Sequence, residues 1–410
     1  MRRLDPMRYR AREVPPFLKF GSRGTHRPSG FISRCAALLA IAFCCSGLAV
    51  ASPPVVGNDS SSQQTVGSKT DLRGAFGGQH KLSASADDSL APPRTVFVPG
   101  GSFDMGDTFG EGASDELPVH EVLLSPYYID KYEVTNEQYA AALNWANAQG
   151  GLITVTDGVV HKYGSGNAQY CDTSSADATS RIHWDGGTFS VTLGKEDHPV
   201  LEVSWYGSVA FSNWRSAMEG KPLCYDLSTW TCDFGVAGYR LPTEAEWEKA
   251  AAWDPAQQRH FRYGEHTDGC GYDCLDGQRA NCWSSDDPFE KGAQPWPTPV
   301  GYYDGTNYGG YQTQNAQSHY GCYDMTGNAW EWCHDRYSST YYSSSPHSNP
   351  TGAATGSQRV LRGGGWNQFP HQGRAAHRDS HSPGGRETYM GFRCAATART
   401  TWIRLRRLGQ

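Results

Sequence analysis

A short run near the C-terminus carries oxygen-bearing residues at the spacing of a cation site. Asp324 and Glu331 contribute carboxylates, and the peptide carbonyls of Gly327 and Ala329 lie between them in the chain. These oxygen atoms can converge in a tight turn, and Ca²⁺ in proteins takes six to eight oxygen ligands. The run therefore predicts a structural calcium site. The alternative is that the two carboxylates only cap the turn or form ion pairs within it.

A second run combines aromatic rings with polar side chains. Such a mixture suits a floor on which a peptide, a protein or a glycan lies. The predicted ligand-binding residues are Trp366, Asn367, Gln368, Phe369, His371, Arg374 and Arg378. For Trp366 and Phe369 the alternative is burial in the core.

Three histidines in or just after this run could hold a transition metal, because neutral imidazole suits iron, copper and zinc. They are His371, His377 and His381. We interpret them instead as exposed loop residues, and we expect no iron cofactor.

Capped helices are predicted to support these runs. Thr135 with Gln138, and Thr243 with Glu246, have the spacing of a capping box, in which each partner satisfies the other's backbone N–H. Ser204 stands where it would cap a helix between them. Large apolar side chains follow each cap at helical spacing, so each helix is expected to bury one face.

Short strands and turns fill the remainder. Residues 95–107 predict two strands around a Pro-Gly-Gly turn. Between residues 147 and 195, alternating segments broken at Asp157-Gly158 and Asp185-Gly186 predict two hairpins in an insertion. The low hydrophobic fraction of 38%, with 47 glycines and 23 prolines, indicates a loop-rich chain. The formal net charge of −6 gives no general attraction to nucleic acid.

The N-terminus has the composition of an export signal. Residues 1–34 are arginine-rich, and the apolar run Cys35–Ala51 closes on an A-x-A sequence. We predict a signal peptide over residues 1–51. The protein is then periplasmic or extracellular; an uncleaved leader, the alternative, would anchor it to the membrane. Residues 52–93 predict a disordered linker, residues 94–398 one domain, and residues 399–410 a basic tail.

An oxidising compartment makes the cysteines disulfide candidates. Cys224 and Cys232 are close enough in sequence to close a small loop, as are Cys270 and Cys274. Sequence alone does not fix the pairing. A zinc site formed with Cys282 is the alternative for the second pair, although no CxxC spacing supports it.

Several motifs together resemble the formylglycine-generating, sulfatase-modifying-factor family. In chain order they are PGGSFDMG, RLPTEAEWE, YGCYDMTGNAWEWCHD, RVLRGGGWNQFPHQGRAAHR and GFRC, and the resemblance covers residues 95–398. It implies an α+β, loop-rich fold with little regular secondary structure, related to C-type lectins. It also implies calcium at Asp324–Glu331 and makes Asn281, in the run ANCW, the start of a second calcium site.

The resemblance breaks at one position that matters for activity. Oxygen-dependent members of the family hold Cu(I) on two cysteines that follow an RGGS motif, because this soft ion prefers thiolates. Here RGGG is followed by a run without cysteine, from Trp366 to Gly373. We therefore expect no copper and predict an exported protein that binds a peptide, protein or glycan. The alternative is an oxygen-dependent oxidoreductase of the same family, either a formylglycine-generating enzyme or a metal-dependent oxidase of the siderophore-maturation type.

Overall fold

Short strands joined by long loops make up most of the fold. The computed structural model describes residues 94–164, 168–269, 271–272, 275–283, 285–291 and 294–398. All of these belong to one unit within Ser68–Gln410. The predicted leader, linker and tail, together with Cys270 and Cys274, lie outside the described residues. Within the described ranges, no helix combines the length and the apolar character that a membrane span requires.

Helices and strands have the following bounds. The helices are α1 (Asn136–Gln149), α2 (Trp205–Met218) and α3 (Glu244–Ala252). The first strands are β1 (Thr95–Val98), β2 (Gly101–Met105), β3 (His120–Leu124), β4 (Tyr127–Asp130), β5 (Ile153–Thr156), β6 (Val159–Lys162), β7 (Gln169–Asp172), β8 (Ile182–Trp184), β9 (Phe189–Val191), β10 (Tyr225–Asp226) and β11 (Thr231–Cys232). The later strands are β12 (Tyr239–Arg240), β13 (Trp253–Asp254), β14 (Arg259–His260), β15 (Asn307–Tyr308), β16 (Tyr311–Gln312), β17 (Trp330–Arg336), β18 (Arg359–Arg362), β19 (Asp379–His381), β20 (Met390–Gly391) and β21 (Ala395–Thr397). Short 3-10 helices cover Ser114–Glu116, Tyr341–Ser343 and Pro370–Gly373.

Two four-stranded sheets organise the fold, with strand orders β1-β4-β21-β12 and β19-β18-β17-β20. A three-stranded sheet, β5-β6-β7, and several two-stranded ribbons surround them. The first sheet joins the N-terminal strand to the C-terminal one through β4, so distant parts of the chain share one hydrogen-bond ladder. The architecture is α+β with little regular secondary structure, as predicted.

The predicted helix caps are confirmed. The Thr135 and Thr243 side chains accept from the backbone N–H of Gln138 and Glu246, and each partner's carboxamide or carboxylate accepts from the cap's own N–H. Ser204 caps α2 by accepting from the Gly207 N–H at 3.0 Å. These bonds lie within one helical turn, which is why the sequence alone reveals them.

Both predicted hairpins are confirmed. Strands β5 and β6 pair with Thr156 opposite Val159, so Asp157 and Gly158 form the turn with positive φ angles of 52° and 78°. Such a turn favours Asp-Gly because both central residues must adopt left-handed backbone angles. Strands β8 and β9 form the second hairpin. Strand β7, which the sequence did not predict, adds a third strand to the first hairpin.

Buried arginines hold the loops against this frame. The fully buried Arg362 guanidinium donates to the backbone carbonyls of Ala375 at 2.6 Å, Ala376 at 3.0 Å and His377 at 2.7 Å. It also forms an ion pair with Glu248 on α3. One side chain therefore satisfies a run of loop carbonyls that has no strand partner, while a carboxylate balances its charge.

We predict that Arg362→Met lowers the free energy of unfolding by roughly 3–5 kcal/mol, because it leaves the Glu248 carboxylate buried without its guanidinium. Arg259→Met is the matched control, since Arg259 pairs with Asp268 at the protein surface. Arg259→Met should lower the free energy of unfolding by less than about 1 kcal/mol. Urea denaturation of the three proteins measures both values. Equal losses in the two variants would contradict the role given to Arg362.

Two cysteines meet in the β10–β11 hairpin. Tyr225 pairs with Cys232 across the two strands, and the Cys224 and Cys232 side chains hydrogen-bond to each other. The structure thus brings together one of the two pairs that the sequence singled out.

We predict that Cys224 and Cys232 form a disulfide if the protein is exported, because thiols in contact oxidise readily in an oxidising compartment. Cys394 is the control, since it lies against the Ser212 hydroxyl at 3.5 Å and should remain a thiol. Alkylation of the unfolded, unreduced protein followed by peptide mapping tests this. Recovery of alkylated Cys224 and Cys232 without a reductant would rule the bond out.

Candidate functional site

The run from Trp366 to Arg378 begins at a glycine turn after β18. Gly363 and Gly364 have φ angles of 93° and 75°, which side chains with a Cβ rarely adopt. A Cβ on Gly364 would also lie 3.0 Å from the Gly373 Cα. The turn folds the chain back on itself, so that the 3-10 helix Pro370–Gly373 packs beside Gly364.

Trp366 belongs to the core and not to an exposed floor. Its side chain is only 3% exposed, and its ring packs against Trp296 with centroids 5.8 Å apart. Its Nε1–H donates to the Thr388 carbonyl at 3.0 Å. The prediction that Trp366 binds a ligand is therefore wrong, and the alternative, burial in the core, is what the structure shows. A large ring whose N–H is hydrogen-bonded gains more free energy from burial than from exposure.

Both predicted ligand-binding arginines are committed to ion pairs. Arg374 donates to the two carboxylate oxygens of Glu116 at 2.7 and 2.8 Å. Although burial acts to raise it, hydrogen bonds from His377 and Arg374 hold the pKa of the Glu116 carboxyl down to about 2. Arg378 likewise donates to both oxygens of Glu244, at 2.7 and 2.9 Å. Both guanidinium groups are therefore neutralised by carboxylates inside the protein and are not available to bind a ligand.

The remaining residues of the run join an exposed row of rings. We call Tyr272, His371, Phe369 and Trp283 the aromatic strip. His371 stacks on Tyr272 and on Phe369, with centroid distances of 5.2 and 6.1 Å and an interplanar angle of 11° in each case. Trp283 lies 6.5 Å from Phe369. Phe369 is 51%, Trp283 45% and Tyr272 40% exposed.

Backbone and cation contacts fix the strip in place. The Trp283 N–H donates to the Gln368 carbonyl at 2.8 Å, which ties the two chain segments together. The Arg374 guanidinium lies 5.2 Å from the centre of the Tyr272 ring. Asn367 and Gln368 are half-buried, and the buried Asn367 Oδ1 has no hydrogen-bond partner. The strip can therefore offer apolar ring surface to a ligand.

Sequence reasoning missed Tyr272 and Trp283, which come from a different part of the chain. Trp283 does belong to the run ANCW, which the sequence singled out only for Asn281. No local pattern says that this run reaches the Trp366–Arg378 segment.

The three loop histidines do not form a shared site. His371 lies in the aromatic strip, His377 lies 3.5 Å from Glu116, and His381 lies 3.9 Å from Glu387. Across the ranges that the structure describes, these histidines contribute to no group of three potential metal ligands.

The predicted calcium carboxylates lie in a buried acidic group that also contains Glu133. Burial, with Glu331 as a further cause, raises the pKa of Asp324 to about 6, and burial also raises that of Glu133 well above its usual range. Glu133 Oε1 is buried without a hydrogen-bond partner. Excess negative charge of this kind is what a bound cation would offset, so Asp324 and Glu133 fit calcium.

Glu331 fits the ion-pair alternative. Arg393 donates to its two carboxylate oxygens at 2.6 and 2.7 Å, and the Trp247 Nε1–H donates to one of them at 2.9 Å. These donors occupy the carboxylate edges that a bidentate cation would use. The role of Glu331 is therefore to balance the buried Arg393 charge.

The two predicted calcium runs lie against each other. The Asn281 carbonyl accepts from the Asn328 N–H at 2.8 Å, and a Cβ on Gly327 would lie 2.0 Å from that same oxygen. The Asn281 amide donates to the Trp296 carbonyl at 2.8 Å, while its own Oδ1 is buried without a partner. An unpartnered buried oxygen fits a cation ligand. Calcium at Asp324, Gly327, Ala329 and Asn281 stays a prediction.

We predict that Ca²⁺ stabilises the protein and that Asp324→Asn abolishes the effect. One site at a hundredfold excess of free ion over Kd adds about 2.7 kcal/mol. Thermal unfolding with Ca²⁺, compared with the same titration after chelation, measures the shift. Asp268→Asn, at the protein surface, should keep the full response. A response retained in Asp324→Asn would place the ion elsewhere.

Comparison with known proteins agrees with these motifs. Residues 80–398 match the family model of the sulfatase-modifying factor enzyme 1-like domain. The formylglycine-generating enzyme of Streptomyces coelicolor is 33% identical over 345 residues, covering 78% of this chain and 95% of that protein. A mouse protein named inactive C-alpha-formylglycine-generating enzyme 2 is 27% identical, covering 75% of this chain and 86% of that protein. Among solved structures, CarF is 24% identical with a TM-score of 0.49, covering 74% of this chain and 98% of that one.

Proposed function

We propose that this chain, which belongs to the sulfatase-modifying factor family, binds a peptide, protein or glycan ligand through its aromatic strip. The observation that carries the proposal is the exposure of Phe369, Trp283 and Tyr272 in one row. Soluble proteins seldom expose a contiguous row of large rings without a partner for it.

The chemistry of the strip favours recognition of a neutral ligand. Arg374 and Arg378, the charged residues of the run, are paired with Glu116 and Glu244 inside the protein. Exposed ring faces suit sugar rings and peptide segments alike, because both present apolar patches between hydrogen-bonding groups.

Copper-dependent oxidation has less support from the residues present. The run from Trp366 to Gly373 contains no thiol. Cys282, next to Trp283 of the strip, is buried. The strip contributes the His371 imidazole, which can bind copper, but no thiolate, the ligand that Cu(I) prefers.

An oxidoreductase is the second candidate. It is favoured by the similarity to the Streptomyces formylglycine-generating enzyme, which extends over 95% of that protein. The mouse relative, which is named as inactive, favours the binding proposal. Its name indicates that a member of the family need not be an active enzyme.

Export remains part of the proposal. The leader predicted over residues 1–51 would deliver the domain to the periplasm or the extracellular space, and would anchor it to the membrane if retained. The proposal includes no nucleic-acid partner, in keeping with the net charge of −6.

We predict that arrays of glycans and of peptides identify a ligand, and that Phe369→Ala and Trp283→Ala each weaken its binding by about tenfold or more. Buried aromatic anchors commonly contribute 1–2 kcal/mol or more to an interface. Tyr163→Ala is the matched control, because Tyr163 is 60% exposed and lies outside the strip. Isothermal titration of the array hit measures all three. Unchanged affinity in the double variant Phe369→Ala/Trp283→Ala would refute the strip as the binding site.

One further measurement separates the two candidate functions. The purified protein is analysed for copper, and its oxygen uptake is followed with a cysteine-containing peptide. Stoichiometric copper together with oxygen uptake would establish the oxidoreductase and overturn the binding proposal.

A further inference from the structure

A cluster of one carboxylate and two imidazoles is formed by strand β13, which follows α3, and by two loops. None of its residues belongs to the aromatic strip or to the acidic group. We propose that Asp254, His266 and His319 bind a divalent transition-metal ion of the zinc or iron(II) class. Their potential ligand atoms all lie within 4.8 Å of one another. No other cluster of this kind occurs among the residues that the structure describes.

Each imidazole lies close to one of the two oxygens of the Asp254 carboxylate. His266 Nε2 lies 3.0 Å from Asp254 Oδ2, and His319 Nδ1 lies 3.6 Å from Asp254 Oδ1. Zn–N and Zn–O bonds of about 2.0–2.2 Å place tetrahedral ligand atoms roughly 3.3–3.5 Å apart. Because the potential ligand atoms lie within 4.8 Å of one another, the remaining separations have to close by about 1.5 Å at most.

The carboxylate is the fixed point of the site. Asp254 is buried, and its Oδ1 accepts from the backbone N–H groups of Ala256 at 2.7 Å and Gln257 at 3.1 Å. These bonds orient the carboxylate before any ion arrives. A ligand held in this way binds its metal more tightly than a free side chain does.

The two histidines come from separate loops and are packed on one side. The His266 ring packs against the Phe261 ring with centroids 4.0 Å apart, and the His319 ring packs against the Tyr320 ring with centroids 5.1 Å apart. His266 is half-buried and His319 is exposed, so an ion reaches the site directly from solvent. Three protein ligands leave at least one coordination position for water or a small ligand.

The ligand set also decides which ions fit. Imidazole nitrogen suits zinc, iron and related ions, whereas Ca²⁺ prefers an all-oxygen shell. The cluster is therefore distinct in chemistry from the acidic group around Asp324. The proposal does not depend on the function proposed for the aromatic strip.

Zinc alone serves as the probe. The full chain is stripped with a chelator, supplied with Ca²⁺ throughout, and titrated with Zn²⁺ by calorimetry. We expect one equivalent to bind, and His266→Ala and His319→Ala each to weaken that binding by at least about tenfold. His347→Ala is the matched control, because His347 Nε2 lies 2.9 Å from Glu121 in a pair that belongs to no larger cluster of the described residues. Its affinity for zinc should not change.

A second readout protects the test against misfolded variants. Both histidines are partly solvent-accessible, so their variants should keep the circular dichroism spectrum of the parent. Co²⁺ bound to the parent should give a visible d–d absorption band that both variants lose. Absence of zinc binding, or an affinity for zinc in His266→Ala and His319→Ala as high as in the parent, would overturn the proposal. It would leave a hydrogen bond from His266 and an ion-pair contact from His319 to Asp254.

Discussion

The need to satisfy loop carbonyls inside the protein shapes the rest of this structure. Much of the buried backbone lies in loops rather than in sheets or helices, and buried arginines take the place of strand partners. Arg393 donates to the carbonyls of Asp130, Lys131, Tyr323 and Asp324, at 2.9–3.3 Å, while Glu331 balances its charge. A guanidinium suits this task because its five N–H donors point in fixed directions and its charge persists when buried.

This frame also determines which chemistry remains at the surface. Arg374 and Arg378 lie in the run where a ligand was expected, yet both guanidinium groups are needed to hold that run against Glu116 and Glu244. With these charges paired internally, the run presents the exposed Phe369 ring and the half-buried His371 ring at the surface. The aromatic character of the candidate site thus follows from the structural use of its arginines.

The buried carboxylates differ in whether a guanidinium balances their charge. Glu331 is neutralised by Arg393, whereas Asp324 and Glu133 share the same buried region without an equivalent partner. Burial of unbalanced carboxylates raises their pKa values and makes a cation favourable there. Asp254 differs again, because backbone N–H groups and the Gln257 side-chain amide hold it, and two imidazoles lie beside it.

The sequence by itself determined the features that depend on neighbours within a few residues. The capping boxes at Thr135 and Thr243 and the Asp157-Gly158 turn are local interactions, so their residue types predict them directly. The order of the motifs likewise identified the family and its loop-rich α+β fold. Only the tertiary structure decided the burial of Trp366, the pairing of Arg374 with Glu116 across 258 residues, and the meeting of Tyr272 and Trp283 with Phe369. Each of these depends on how separate loops pack, and the free energy that selects one partner for a ring or a guanidinium comes from burial in the assembled protein.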